Sequence, residues 1–220
     1  MATKKPKKPW PTKAAMEQIY EQHLWGGDHH MFYSGEGSHD PNLVKPYATV
    51  VSRFLKSFET PLTVCDLGCG DFNVGKQLAP YTKKYIGVDI VENLIDHHQN
   101  TFASDNIRFQ CLDIAQDELP QADCAILRQV LQHVSNTEVQ HIAQKLSTYK
   151  HIIVTEHLPE GDFVPNLDII SGQGIRLKKQ SGVDLLAPPF NLKIIEKNVW
   201  LRQPVGIDKG TIVTVHYVLR

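Results

Sequence analysis

Thr63 to Gly70, TVCDLGCG, is the stretch that decides how this chain is read. An apolar β-branched run ends in an acid and then two closely spaced glycines, the way a buried strand delivers its carboxyl end to a ligand. Gly70 lets the backbone come close to something bulky. Asp71 to Pro80 then place Val74, Leu78 and Ala79 at helical spacing, so the unit reads strand, glycine turn, helix. A lone glycine turn is weak evidence, because glycine punctuates turns in every fold. The order of the parts around it says more. A second strand, Tyr85 to Asp89, ends in an acid near where a ribose-binding acid stands in such units. A third, Ile107 to Leu112, is followed by Asp113, and a fourth, Asp123 to Leu127, runs into Arg128-Gln129-Val130-Leu131-Gln132-His133.

Outward from this centre, the spacing predicts a helix over Glu92 to Phe102. A capping box, Ser135-Asn136-Thr137-Glu138, opens another helix that runs to about Leu146. His151 to Glu156 is the fifth strand. Alternation of strand and helix implies a parallel sheet with right-handed crossovers. It stops at His157, and residues 157–190 read as an insertion that shapes a substrate pocket, since a connection this long is usually functional. Leu192 to Val199 and Thr211 to Leu219 close the chain as an antiparallel hairpin.

Upstream, Met1 to Pro11 carries four lysines and three prolines and is expected to be a disordered basic tail. Residues 12–220 then form a single domain, of which 12–45 supply a helix and a lid. The helix starts at Thr12 as N-cap and runs to Trp25. The lid, GGDHHMFYSGEGSHDP, offers His29 and Tyr33 for contact with a substrate. Val44, Tyr47, Val51, Phe54 and Phe58 give one apolar helical face, with Pro46 expected in its first turn.

At 220 residues the chain is long enough for one sizeable core, and 41% hydrophobic with 21% charged residues is ordinary for a globular protein. A net charge of −1 argues against a surface devoted to nucleic acid. No apolar run has a membrane-spanning length and no signal-peptide core is visible, so a cytoplasmic location is expected. Cys65, Cys69, Cys111 and Cys124 lie in or beside core strands and are expected to be buried thiols. No metal site is expected, because His29, His30 and His39 lack an acid or cysteine partner at a supporting interval.

The run DLGCG, the acids of GVDI and CLDI, and the segment ILRQVLQHV resemble the motif series of the class I S-adenosylmethionine (SAM) dependent methyltransferases over Thr63 to Glu156. A YSGxGS-like loop at Tyr33 to Ser38 and a DLxxPPF-like segment at Asp184 to Phe190 are similar to small bacterial-type methyltransferases of unassigned substrate. The resemblance implies a seven-stranded Rossmann-like α/β sheet, mostly parallel, with a C-terminal antiparallel hairpin and helices on both faces. It also implies that Gly68 and Gly70 pass the amino-acid tail of SAM, that Asp66 attracts its ammonium group and that Asp89 takes the ribose. Asp113 would take the adenine amino group, with Ile90 and Ile114 on the ring faces and Arg128 completing the set. S-adenosyl-L-homocysteine (SAH) would be the product.

Each acid by itself also reads as a turn or cap residue. Three of them after successive strands favour a cofactor. A dinucleotide-binding oxidoreductase is the competitor, but Gly68, Gly70 and Gly75 place the last glycine two positions late for its fingerprint. For transfer to an oxygen or nitrogen of a small molecule, His133 is the first candidate base and His157 the second, both also candidates for acceptor contact. Gln129 stands where similar proteins often carry an acid, and the NPPY signature of nucleobase amine transfer is absent. The alternatives are a SAM-binding protein without catalysis that acts through a partner and, on the strength of the lysine tail, an RNA or protein methyltransferase.

Overall fold

A computed structural model describes residues 10–207 and 209–219. The basic-tail expectation falls almost wholly on residues outside these. The first helix, α1 (Thr12–Glu21), is followed by one turn, α2 (Glu36–His39), and by α3 (Pro41–Leu55). Then come β1 (Thr63–Leu67), a short α4 (Gly75–Leu78), β2 (Lys84–Asp89), α5 (Glu92–Thr101), β3 (Ile107–Cys111) and β4 (Cys124–Arg128). After α6 (Asn136–Leu146) the chain finishes with β5 (His151–Leu158), β6 (Glu196–Pro204) and β7 (Thr211–Val218).

The seven strands form one sheet of order β3-β2-β1-β4-β5-β7-β6. The first five pair in parallel, and β7 runs antiparallel between β5 and β6. Alternate residues feed two cores, because side chains leave a strand on opposite faces. Cys65, Leu67, Val88, Ala125, Leu127 and Ile152 pack with α1, α5 and α6, while Val64, Tyr85, Ile126 and Ile153 pack with α3 and α4. With helices on both faces, β1 and β4 are buried along almost their whole length, which is why they read as continuous apolar runs.

Several boundaries differ from expectation, each for a local reason. Pro46 lies inside α3, not at its start. The helix begins at Pro41 because Asp40 caps it, its side chain accepting the Asn42 N–H at 2.8 Å. Pro11, not Thr12, occupies the N-cap position of α1, and the helix stops four residues short of Trp25. The expected helix after β1 shrinks to one turn of α4 and a 3-10 turn at Ala79–Tyr81, since Pro80 has no N–H to extend it. β6 begins later than expected and continues to Pro204, on the sheet edge where a missing N–H costs no ladder bond. Cys111 is exposed at the end of β3, while Cys65, Cys69 and Cys124 are buried.

Residues 159–195 hold little regular structure and are knotted by side chains instead. Asn166, in a left-handed conformation, donates its amide to the carbonyls of Asp184 and Pro188 and accepts the Asp184 N–H. Arg176 is buried and donates to the carbonyls of Leu131 and Val134, both at 2.8 Å, and to Asn136 Oδ1 at 2.7 Å. The insertion is thereby tied to the loop after β4. Among the described residues no helix is long and apolar enough to cross a membrane.

Candidate active site

The carboxyl ends of β1, β2 and β4 open into a cavity of about 480 Å³, covered by residues of the segment 12–38 and flanked by 173–178. Its floor is the glycine turn. Gly68 (φ +84°) and Gly70 (φ +52°) take left-handed conformations. A Cβ on Gly68 would fall 2.5 Å from Val130 Cγ2, and one on Gly70 would fall 2.4 Å from Ser34 Oγ. Neither side chain is admissible there, so bare backbone faces the cavity.

Asp66, Asp89, Ile90, Asp113, Ile114 and Arg128 all line this cavity, so the structure brings the predicted cofactor set together. The acids also serve their own turns. Asp89 accepts the N–H groups of Gly70 and Val91, each at 3.1 Å, and Asp113 accepts the Ala115 N–H at 2.8 Å. A carboxylate has more lone pairs than these bonds use, which leaves room for a ligand. Burial raises Asp89 above the usual carboxylate value, and the N–H groups of Val91 and Gly70 work against that rise. Burial likewise lifts Asp66 to about 6, offset in part by the Tyr85 hydroxyl that donates to it at 2.5 Å. Arg128 is lowered by burial, and its Nε–H has no partner among the described residues. That nitrogen is closed off from the cavity, and the other guanidinium nitrogens donate to Gly37, Ser38 and Gln129.

The covering segment is fastened at several points. Ser34 and Asp71 exchange two bonds at 2.8 Å, and Asp71 also meets His39 Nε2 at 2.6 Å. Tyr20 Oη lies 2.8 Å from Ser34 Oγ. Arg128 donates to Ser38 Oγ at 3.3 Å and to the Gly37 carbonyl. At the far end Thr12 donates to Glu138, and Gln173 donates to the Leu24 carbonyl at 2.7 Å. Asp71 directly follows the glycine turn, and its proximity to DLGCG was the one sequence signal for this latch.

His133 reaches the cavity, as expected, but its ring nitrogens are both engaged. Gln132 accepts the His157 backbone N–H on Oε1 at 3.1 Å, so its amide nitrogen is the end that meets His133 Nε2, at 3.2 Å. His133 Nδ1 meets the Gly172 carbonyl at 3.2 Å and must carry the hydrogen. The ring is therefore the Nδ1–H tautomer with its Nε2 lone pair occupied. Burial pushes its pKa down to about 4. These contacts correct the expectation of a free base at His133. Its ring instead forms a wall with Trp25, centroids 5.2 Å apart.

The other expected acceptor contacts lie elsewhere. His157 is outside the cavity lining, with Nε2 2.7 Å from the Lys209 carbonyl, because it lies within β5, paired with Ile212 of β7 in the last hairpin. His29 is exposed and also outside the lining. Tyr33 stacks on His39 at 4.2 Å and donates to Glu36 at 2.9 Å, on the outer side of the covering segment. The lining holds Trp25, Gln132, Glu138, Gln173 and Lys178, which the sequence did not mark as site residues. Glu138 was visible only as a capping residue. Burial raises its carboxyl, but the hydroxyls of Ser135, Ser171 and Thr12 outweigh that and hold it below the usual value.

Residues 39–183 match the family model described as a methyltransferase domain, well over half of the chain. The chain belongs to this family. It is a class I, SAM-dependent methyltransferase with a Rossmann-like sheet. No curated protein matches the sequence. Solved structures share the methyltransferase's fold at low identity. N-methyltransferase NodS from Bradyrhizobium japonicum WM9, in complex with SAH, matches with a TM-score of 0.65 and 15% identity, over 94% of this chain and 100% of that one. Magnesium protoporphyrin IX methyltransferase from Synechocystis PCC 6803, with bound SAH, gives 0.60 and 17% over 96% and 100%. Human N-acetylserotonin methyltransferase, in complex with SAM, gives 0.57 and 18% over 95% and 60%.

Proposed function

We propose that this methyltransferase transfers a methyl group from SAM to an oxygen or nitrogen of a small molecule held inside the covered cavity. The observation that carries the acceptor size is enclosure. Gln173 joins the insertion to Leu24, and Ser34 joins the covering segment to Asp71, so protein arches over the cavity and leaves an opening beside the exposed residues Gln173, Gly174 and Lys178. A macromolecular acceptor would need that cover displaced.

The residues present suit SAM. The bare backbone of Gly68 and Gly70 would take the amino-acid tail, Asp66 its ammonium and the positive charge of Arg128, which lines the cavity, its carboxylate. Asp89 would hold the ribose, and Asp113 the adenine edge between Ile90 and Ile114. When bound, SAM supplies an electrophilic methyl carbon on a cationic sulfur. The chain's part is to hold both ends, exclude water and aim the acceptor, the effects that dominate a displacement of this kind. Trp25 and His133 would form the aromatic wall on which the acceptor rests, with His133 fixed in one tautomer by Gln132 and the Gly172 carbonyl.

Calorimetric titration with SAM and with SAH tests this reading. Micromolar binding of both ligands, weakened at least about tenfold in Asp89→Ala, is the expected result. Failure of folded protein to bind either ligand would overturn it. Binding without transfer to any small acceptor would favour the non-catalytic alternative.

A further inference from the structure

Among the described residues the β4 side of the cavity offers no free base. His133 has its Nε2 lone pair on the Gln132 amide and its other ring nitrogen donating to Gly172. Glu138 is occupied by the Ser135 backbone N–H and by the hydroxyls of Ser135, Ser171 and Thr12. What this side offers instead are donors. Gln132 has a second amide hydrogen beyond the one spent on His133. Lys178 lines the cavity, is exposed, and makes no hydrogen bond or ion pair with any described residue.

We propose that the acceptor atom is ionised before it arrives, as the oxygen of a carboxylate, and that Lys178 and the Gln132 amide receive it against the wall of Trp25 and His133. The proposal rests on the small-molecule reading above and narrows it. A carboxylate oxygen forms the new bond to the methyl carbon as the carbon–sulfur bond breaks. The bonding pair of that bond stays on sulfur, giving a neutral ester and a neutral thioether. No proton moves, so no base is required. Opposite charges are consumed in the step, which a partly apolar site favours over one that must create charge. An amine acceptor would have to shed a proton to nothing on this wall, and in its protonated form it would be repelled by Lys178. The neutral state of His133, whose pKa burial holds near 4, agrees with the geometry.

The test is binding to the SAH-loaded protein of four probes of one shape: cinnamate, cinnamamide, cinnamyl alcohol and cinnamylamine. Cinnamate is expected to bind about tenfold or more tighter than the neutral pair, with cinnamylamine weakest. In Lys178→Gln the preference for cinnamate should vanish while the affinity for SAH is kept, a result that simple loss of folding does not give. Equal binding of the four, preference for a neutral or cationic probe, no binding of any, or an unchanged preference in Lys178→Gln would each overturn the proposal. SAH binding is measured first in the same cell, so its failure marks the cofactor reading, and its success with no anion preference marks this one alone.

Discussion

Gln203, on the outermost strand, donates its side-chain amide to the Asn42 carbonyl at 2.9 Å, the carbonyl that Pro46 leaves without its helical partner. The same nitrogen lies 3.2 Å from the Leu43 carbonyl. A proline inside a helix removes one i→i−4 bond. Here the last hairpin supplies the missing donor from 157 positions further along the chain, and it docks α3 against β6 in doing so.

Gln203→Ala is expected to lower stability by about 1–2 kcal/mol, because a buried acceptor is left unpaired, and to lower Tm by a few degrees. In a Pro46→Ala background the helix recovers its own N–H, and the same substitution should cost less. A double-mutant cycle read by urea unfolding checks it. Equal costs in both backgrounds would contradict the compensation.

Arg176→Met should cost about 3–5 kcal/mol, because a buried guanidinium with three acceptors, close to the buried Glu156, is removed. The insertion should loosen first. Limited proteolysis within residues 159–175, faster than in the parent while the sheet stays intact by circular dichroism, is the expected readout.

Glu156 accepts the backbone N–H groups of Leu131 and Gln132 at 3.0 and 2.9 Å and is held at about 8 by burial, against which those bonds act. The folded protein keeps this proton to higher pH than the unfolded chain does. Stability from this group is therefore present below the ordinary carboxylate range and lost as pH rises toward 8. Glu156→Gln removes the titration. The urea midpoint of the parent relative to that variant should fall between pH 5 and 8.

His151 and His216 meet at 3.1 Å between Nδ1 and Nε2 in a buried aromatic cluster with Phe54. Burial lowers both, His216 to about 4. The unfolded chain takes up protons at higher pH than the folded one, so this pair's contribution is complete above the ordinary histidine value near 6.5 and is lost as pH falls toward 4. His216→Phe should flatten the acid limb of stability against pH. An unchanged limb would remove the pair from the account.

The centre of this protein is written in its local sequence patterns. The apolar strands, the glycine turn and the acids after β1, β2 and β3 are set by local patterns, and strand period and turn chemistry act over a few residues. That is why Asp66, Gly68, Gly70, Asp89 and Asp113 are legible in the sequence as one set of strand-end residues. The capping box at Ser135 and Glu138 was legible for the same reason. The acceptor side was not. That His133 is a wall with an occupied lone pair depends on Gln132, Gly172 and His157, which meet only when β5 and the insertion have folded beside β4. His157 and His29 carried the right chemistry, but the direction in which a side chain faces at the end of a strand or in a loop is fixed by packing, and both lie outside the cavity lining. Pro46 inside α3 shows the same division: local propensity argues for a break, and a glutamine from the last hairpin overrides it. Contacts between residues far apart in sequence leave no periodic trace in one chain, so the placement of Trp25, Gln132, Lys178 and Arg176 belonged to the tertiary structure alone.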